Sequence, residues 1–287
     1  MTDFFNALID PNMPIIRYAL IIGIIASFAF GIIGTYIVVN RISYIAGAIS
    51  HSIIGGIGAA LYFQKNYNLE WCHPNLGALV SAIFSAGIIC LVLEKNKQRA
   101  DTVIGAVWAI GMATGLLFIS KTPGGNNSLH GYLFGDILLV SFQDLLLIII
   151  LDLIIMITVF IFYNKFLAVS FDREYAKTRG INTALYHLIL LILIALTIVL
   201  LLKIIGIIML IALLTLPPAI AGRLSKKMLP MMLYSTLLSM LLTSGGIAAS
   251  YQYNTSCGPT IILLTGALYL ISVIPFETIK RKMKSTK

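Results

Sequence analysis

Long apolar runs follow one another along this chain, separated by short polar connections, and this limits what it can fold into. Nine runs stand out, at about 18–39, 45–63, 76–93, 102–120, 141–163, 184–202, 204–222, 230–250 and 258–276. A helix rises about 1.5 Å per residue, so about 20 apolar residues cross the hydrocarbon of a bilayer. Inside that hydrocarbon every backbone amide needs an internal partner, which leaves helix as the state for these runs. The period-two alternation of a membrane barrel is absent. Charged residues make up 11% of the 287, against about 25% in soluble domains, so a water-soluble fold is excluded. The expected fold class is an all-α polytopic membrane protein with eight or nine transmembrane helices, forming a single transmembrane domain over residues 1–287.

The net charge of +9 is not a nucleic-acid footprint, because the basic residues sit in short clusters between the apolar runs. Lys and Arg in short loops mark the cytoplasmic side. Lys95, Lys97 and Arg99 mark one such loop, Lys165, Arg173, Lys177 and Arg179 a second, and Arg223, Lys226 and Lys227 a third. The tail from Lys280 to Lys284 places the C-terminus inside. Loops 121–140 and 251–257 then face out, Arg41 faces in, and residues 64–75 and the N-terminus face out. Residues 1–12 carry Asp3 and Asp10 and no basic residue, so the first run is expected to stay as a span rather than serve as a signal peptide.

The three cysteines, Cys72, Cys90 and Cys257, show no C-x-x-C spacing and suggest no zinc knuckle. Cys90 reads as packing, and Cys72 and Cys257 fall on the same outer side without support for a bridge. No G-x-x-x-x-G-K-[ST] segment occurs, so the chain carries no P-loop of its own. No Ser-His-Asp arrangement and no H-E-x-x-H points to a hydrolase. Ser27-xxx-Gly31 and Gly111-xxx-Gly115 are small-xxx-small patterns that allow helices to approach closely.

Five constellations remain. His51 lies inside the second run, two turns from its cytoplasmic start. A histidine at membrane depth is either a functional ligand for a divalent transition metal or a ring hydrogen-bonded within the bundle. Gly47, Gly55 and Gly56 beside it either line a path or serve close packing. Asp136, in Leu133-Phe-Gly-Asp-Ile-Leu138, meets an incoming cation or caps the following helix. Asp152, deep in the fifth run, lines the path or bonds to a neighbouring span. Pro217 and Pro218 remove two amide donors and are expected to break the seventh helix near Leu216, leaving the carbonyls of Leu213 and Leu214 for other partners such as Thr215, as a hinge or gate. His73, His130 and His187 carry no assigned role. The fifth constellation is Phe171 to Ile181. Here Asp172, Arg173, Glu174, Lys177 and Arg179 gather five charges between two apolar runs, and Gly180 supplies a helix stop. A charged helix in that place suits docking to a soluble cytoplasmic partner.

Four of these segments occur in an order that resembles the integral-membrane subunits of ATP-binding-cassette importers for zinc, manganese and iron. They are Ser43 to His51, Leu133 to Leu138, Phe171 to Ile181 and Gly206 to Ala221, within residues 17–275. The resemblance implies a type II importer-like permease fold in a multi-pass protein of the bacterial cytoplasmic membrane. It implies a homodimer seated on separate ATPase subunits, and an extracytoplasmic metal-binding protein that delivers a divalent ion (Zn, Mn or Fe). No covalently bound cofactor is implied. The segment about 171–181 becomes the element that couples to the ATPase, and His51 a residue of the ion path. The family places an acidic residue four positions before its histidine; here that position is Gly47. Two other readings stand beside this one. A permease for an organic metal chelate would need a wider cavity and a longer chain, and an ion-gradient carrier would show inverted repeats.

Overall fold

The computed structural model describes residues 14–95, 100–123, 131–133, 135 and 141–285. Every regular element with assigned bounds among them is a helix: α1 Pro14–Val39, α2 Ser43–Tyr67, α3 Pro74–Lys95, α4 Ala100–Ser120, α5 Phe142–Phe171, α6 Arg173–Thr178, α7 Thr183–Ile205, α8 Ile207–Leu224, α9 Met228–Tyr253 and α10 Cys257–Ser285. Eight are long and apolar enough to cross a membrane, and α10 adds the apolar stretch Cys257–Val273. These eight and the α10 stretch coincide with the nine apolar runs.

Helix ends follow local chemistry. Asn68 and Asn254 end α2 and α9 in the left-handed conformation, at φ 53° and 51°, which a short polar side chain tolerates. Asn182 starts α7 by accepting the amide of Leu185. Ser141 starts α5 with a capping box: its hydroxyl accepts the amide of Asp144, and Asp144 accepts the amide of Ser141. The cap expected of Asp136 is therefore made by a different pair, and Asp136 itself lies outside the described residues.

Two groups of helices build the bundle. In one, α2 is clasped between α3 and α4; in the other, α1 packs on α9, α8 and α5. Helix α7 touches α2 and α3 on one side and α5 on the other, joining the groups. Tyr36, Phe30 and Phe166 are wholly buried in the second group, with Tyr36 and Phe166 edge to face at 5.6 Å. Conversely α5 turns Leu153, Ile157, Phe160 and Ile161 outward, Phe160 at 87% exposure. An apolar face of that kind is at home only against lipid or another membrane surface.

Helix α8 corrects one expectation. Pro217 and Pro218 sit inside a helix that continues to Leu224, so they do not end it near Leu216. Thr215 gives its hydroxyl to the carbonyls of Ile211 and Ala212 rather than to those of Leu213 or Leu214. The carbonyl of Leu214 instead lies against Gly34 of α1, where a Cβ would stand 2.5 Å from it. The break in this part of the chain comes earlier, at Gly206, whose φ of 81° separates α7 from α8. That φ favours glycine.

Candidate functional site

His51 is half-buried on α2, and its Nδ1 is buried without a hydrogen-bond partner among the described residues. Its imidazole stacks on the indole of Trp108 from α4, with ring centroids 4.6 Å apart and planes 16° apart. The same indole covers Gly47, where a Cβ would stand 2.8 Å from Cζ3 and 3.1 Å from Cη2. Tyr44 completes the row, 5.5 Å from Trp108. Residues 44, 47 and 51 share one face of α2, and Trp108 lies over all three.

Above this row α2 and α4 close up. A Cβ on Gly55 would stand 2.7 Å from the carbonyl of Gly111, and one on Gly58 2.6 Å from that of Gly115. The contacts 47 to 108, 55 to 111 and 58 to 115 advance together, so the two helices run parallel. Helix α3 meets α2 from the other side. Gly56 and Gly77 are so close that a Cβ on either would overlap the other's carbonyl. Hydroxyls bond across this contact: Ser81 donates to the carbonyl of Ser52 at 2.6 Å, and the Ser52 and Ser85 hydroxyls are 2.5 Å apart. Gly47, Gly55 and Gly56 are thus all points of close approach. Gly55 also borders a cavity of about 400 Å³ among α2, α3 and α4, lined by Ser52, Ser81, Ser85 and Thr114.

Asp152 is placed elsewhere, 6% exposed on α5. Its carboxylate lies near the backbone of Ala29 on α1, and neither oxygen makes a hydrogen bond of full geometry. Among the described residues no group of three or more His, Cys, Asp or Glu stands ready to hold a metal. The described part of a single chain therefore offers an ion isolated ligands rather than a chelating cage.

The charged segment forms the six-residue helix α6. Asp172 caps it, with Oδ1 accepting the amides of Glu174 and Tyr175 at 3.0 Å each. Its carboxylate is committed to the fold. Glu174 and Lys177 are exposed, and Arg179 folds back on the Tyr175 hydroxyl, with Nη2 at 2.9 Å. Tyr175 and Phe171 stand out at 52% and 65% exposure. Gly180, at φ 76°, turns the chain toward α7. Arg173 points the other way: its guanidinium Nη2 lies 3.1 Å from Nδ1 of His187, a buried ring on α7. A polar cavity of about 440 Å³ opens beside it, edged by Asn40, Arg41, Ser170 and Arg173.

The outer end of α7 is tied down as well. Lys203 reaches Asp144 at 3.3 Å, and Gly135, at φ 65°, lies against the backbone of Ile205 and Gly206. Gly135 thus sits beside the α7–α8 junction. His130 lies outside the described residues, while His73 sits in the turn before α3. Cys72 is a free thiol, so it makes no bridge to Cys257. Sequence reasoning missed Trp108 and Asp144 and gave His187 no role. Trp108 and His187 act through contacts between elements, while Asp144 was readable in the Ser141-x-x-Asp144 spacing.

The fold and sequence are shared with known transport proteins. The chain is 42% identical over 261 residues to a probable metal transport system membrane protein of Chlamydia trachomatis, covering 91% of this chain and 89% of the relative. It is 28% identical to the manganese import system permease protein ScaB of Streptococcus gordonii, over 98% and 99% of the two chains. It is 29% identical to the high-affinity zinc uptake system membrane protein ZnuB of Haemophilus influenzae, over 90% and 97%. The solved structure of PsaBC from Streptococcus pneumoniae in complex with Fab superposes with a TM-score of 0.81 at 26% identity, over 94% of each chain. The family model ABC-3, the ABC 3 transport family, matches residues 12–275, and the chain belongs to that family.

Proposed function

We propose that this chain is the membrane-spanning half of an ATP-driven importer for a divalent transition-metal ion. ATP hydrolysis would take place on a separate ATP-binding-cassette subunit, and the ion would arrive from an extracytoplasmic binding protein. The chain is a transport subunit and not an enzyme. The observation that carries the coupling role is α6. A capped polar helix with two exposed aromatic residues hangs between two spans and is pinned inward by one arginine. Aromatic residues are enriched at protein contacts, and polar ones form the rim. Glu174, Lys177, Tyr175 and Phe171 present the surface, Asp172 and Gly180 shape it, and Arg173 joins it to α7. On the ion path, His51 is the imidazole ligand. Asp152 and Asp136 are the carboxylates that reach the ion or position the helices around it. Pro217 and Pro218 lie where α8 bears on α1 through Gly34, a place for a gate. Two copies of the chain facing each other would bring two His51 rings to one path, a weak relay suited to passage rather than storage. Zinc, manganese and ferrous iron all accept such a ligand, and relatives named for zinc and for manganese are about equally similar to this chain.

The test is reconstitution of the complex with its ATPase and binding protein in proteoliposomes, with ATP hydrolysis and uptake measured for each metal separately. Stimulation by one of the three is expected. The double variant Glu174→Ala, Arg179→Ala should fold, hydrolyse ATP and lose uptake. Ion uptake by the purified chain without nucleotide would overturn the reading.

A further inference from the structure

The stack of Trp108 on His51 continues the α2–α4 contact below the glycines, with an indole in place of touching backbones. At Gly55 and Gly58 the two backbones touch; at Gly47 an indole stands between them. The ring plane of His51 has no hydrogen bond at Nδ1 to fix it. Metal-binding imidazoles are normally oriented by an acceptor on their second nitrogen, and here a flat aromatic contact takes that place. Position 47 lies one turn before His51 on the same face of α2, a place from which another side chain could join His51 on a cation. The indole fills it.

We infer that Trp108 is the specificity-determining gate over His51. It sets the plane of the imidazole and fills the space left over Gly47, so that an arriving divalent cation meets one neutral nitrogen on this face of α2. The inference rests on the importer reading above. An ion held by one imidazole keeps most of its water and is discriminated by its affinity for nitrogen, and a carboxylate at 47 would remove that discrimination. Trp108 acts through His51 and is a positioning residue.

Two measurements test it. The first is the ratio of Zn²⁺ to Mn²⁺ uptake by the reconstituted complex. Trp108→Ala should change that ratio by about tenfold, the scale of losing a group that orients a metal ligand, while Trp108→Phe, which retains a ring, should stay near the parent. Gly47→Asp alone should lose uptake, because Trp108 leaves its side chain no room, and adding Trp108→Ala should restore uptake with the selectivity altered. The second uses the fact that the chain has two tryptophans, of which Trp71 is exposed in the turn before α3. In the Trp71→Phe protein, Zn²⁺ titration should shift Trp108 emission, and His51→Ala should abolish the response. An unchanged Zn²⁺ to Mn²⁺ ratio in Trp108→Ala, or Trp108 emission indifferent to Zn²⁺, would overturn the gate. If the parent complex takes up none of Zn²⁺, Mn²⁺ and Fe²⁺, the importer reading fails instead, and the emission titration still decides on the gate.

Discussion

Helices α2 and α3 join their buried serine hydroxyls across the seam between them, whereas α1, α5 and α9 leave several buried oxygens without partners among the described residues. In the first group Ser52, Ser81 and Ser85 bond to one another across helices whose backbones touch. In the second group Asp152, Tyr36, Ser235, Ser239 and Thr243 have buried side-chain oxygens without full hydrogen bonds among the described residues. Both groups are close-packed: Gly31 sits against Thr236 and Gly23 against Thr243, much as Gly56 sits against Gly77. The difference lies in what the packing achieves. A satisfied seam has one good arrangement and resists any other, while unsatisfied polar atoms at membrane depth leave free energy to be gained by a different arrangement. On that basis the α2–α3–α4 group is expected to act as a fixed wall, and the α1–α5–α9 group to tolerate rearrangement more readily.

The largest expected effect comes from overfilling the fixed wall. Gly56→Ala should destabilise the protein by on the order of 3 kcal/mol, since the backbone of Gly77 cannot move aside. Gly87→Ala on α3, where a Cβ meets nothing within 4 Å, should be neutral or gain up to about 1 kcal/mol. Thermal unfolding followed by aggregation-sensitive chromatography in detergent checks both, and equal losses would erase the contrast. Next is Asp152→Leu. Removing an unpaired buried carboxylate should raise stability by about 2 kcal/mol, with uptake by the reconstituted complex lost if the acid serves transport. A destabilised variant would mean that the carboxylate is well paired, and the comparison would break there. The smallest is a pair of hydroxyl deletions. Ser52→Ala should cost about 0.6 kcal/mol, the mean for such bonds between membrane helices. Ser239→Ala, which removes an unpartnered hydroxyl, should cost nothing. A denaturant series on the two variants separates them.

Hydropathy alone located the nine long helices, because in hydrocarbon the run and the helix are the same object. It erred where a helix leaves the membrane. The fifth run fades near residue 163, yet α5 continues to Phe171 and stops at the Asp172 cap, since charge ends a span without ending a helix. It also erred at α8, where two prolines drew attention and the actual break was a glycine with positive φ eleven residues before the first. Proline's missing donor is visible in a sequence, but a neighbouring helix with a glycine at the right height is not. The site was legible as His51 and its glycines, but not as a stack, because Trp108 lies 57 positions away on another helix and nothing in local spacing ties it to α2. His187 carried no role in the sequence, and only the folded turn at Gly180 brings it to Arg173.

That arginine has a mechanical consequence. Four residues, 179 to 182, connect α6 to α7 along the chain, and a glycine among them makes the covalent link pliable. The guanidinium spans the same gap through space and grips α7 at its fifth residue. On the coupling role proposed above, a push on α6 from below would be delivered to the shaft of α7 rather than absorbed at the joint. The far end of that shaft touches Asp144 through Lys203 and abuts Gly135, so thrust applied on one face of the membrane would emerge on the other, as in a strut.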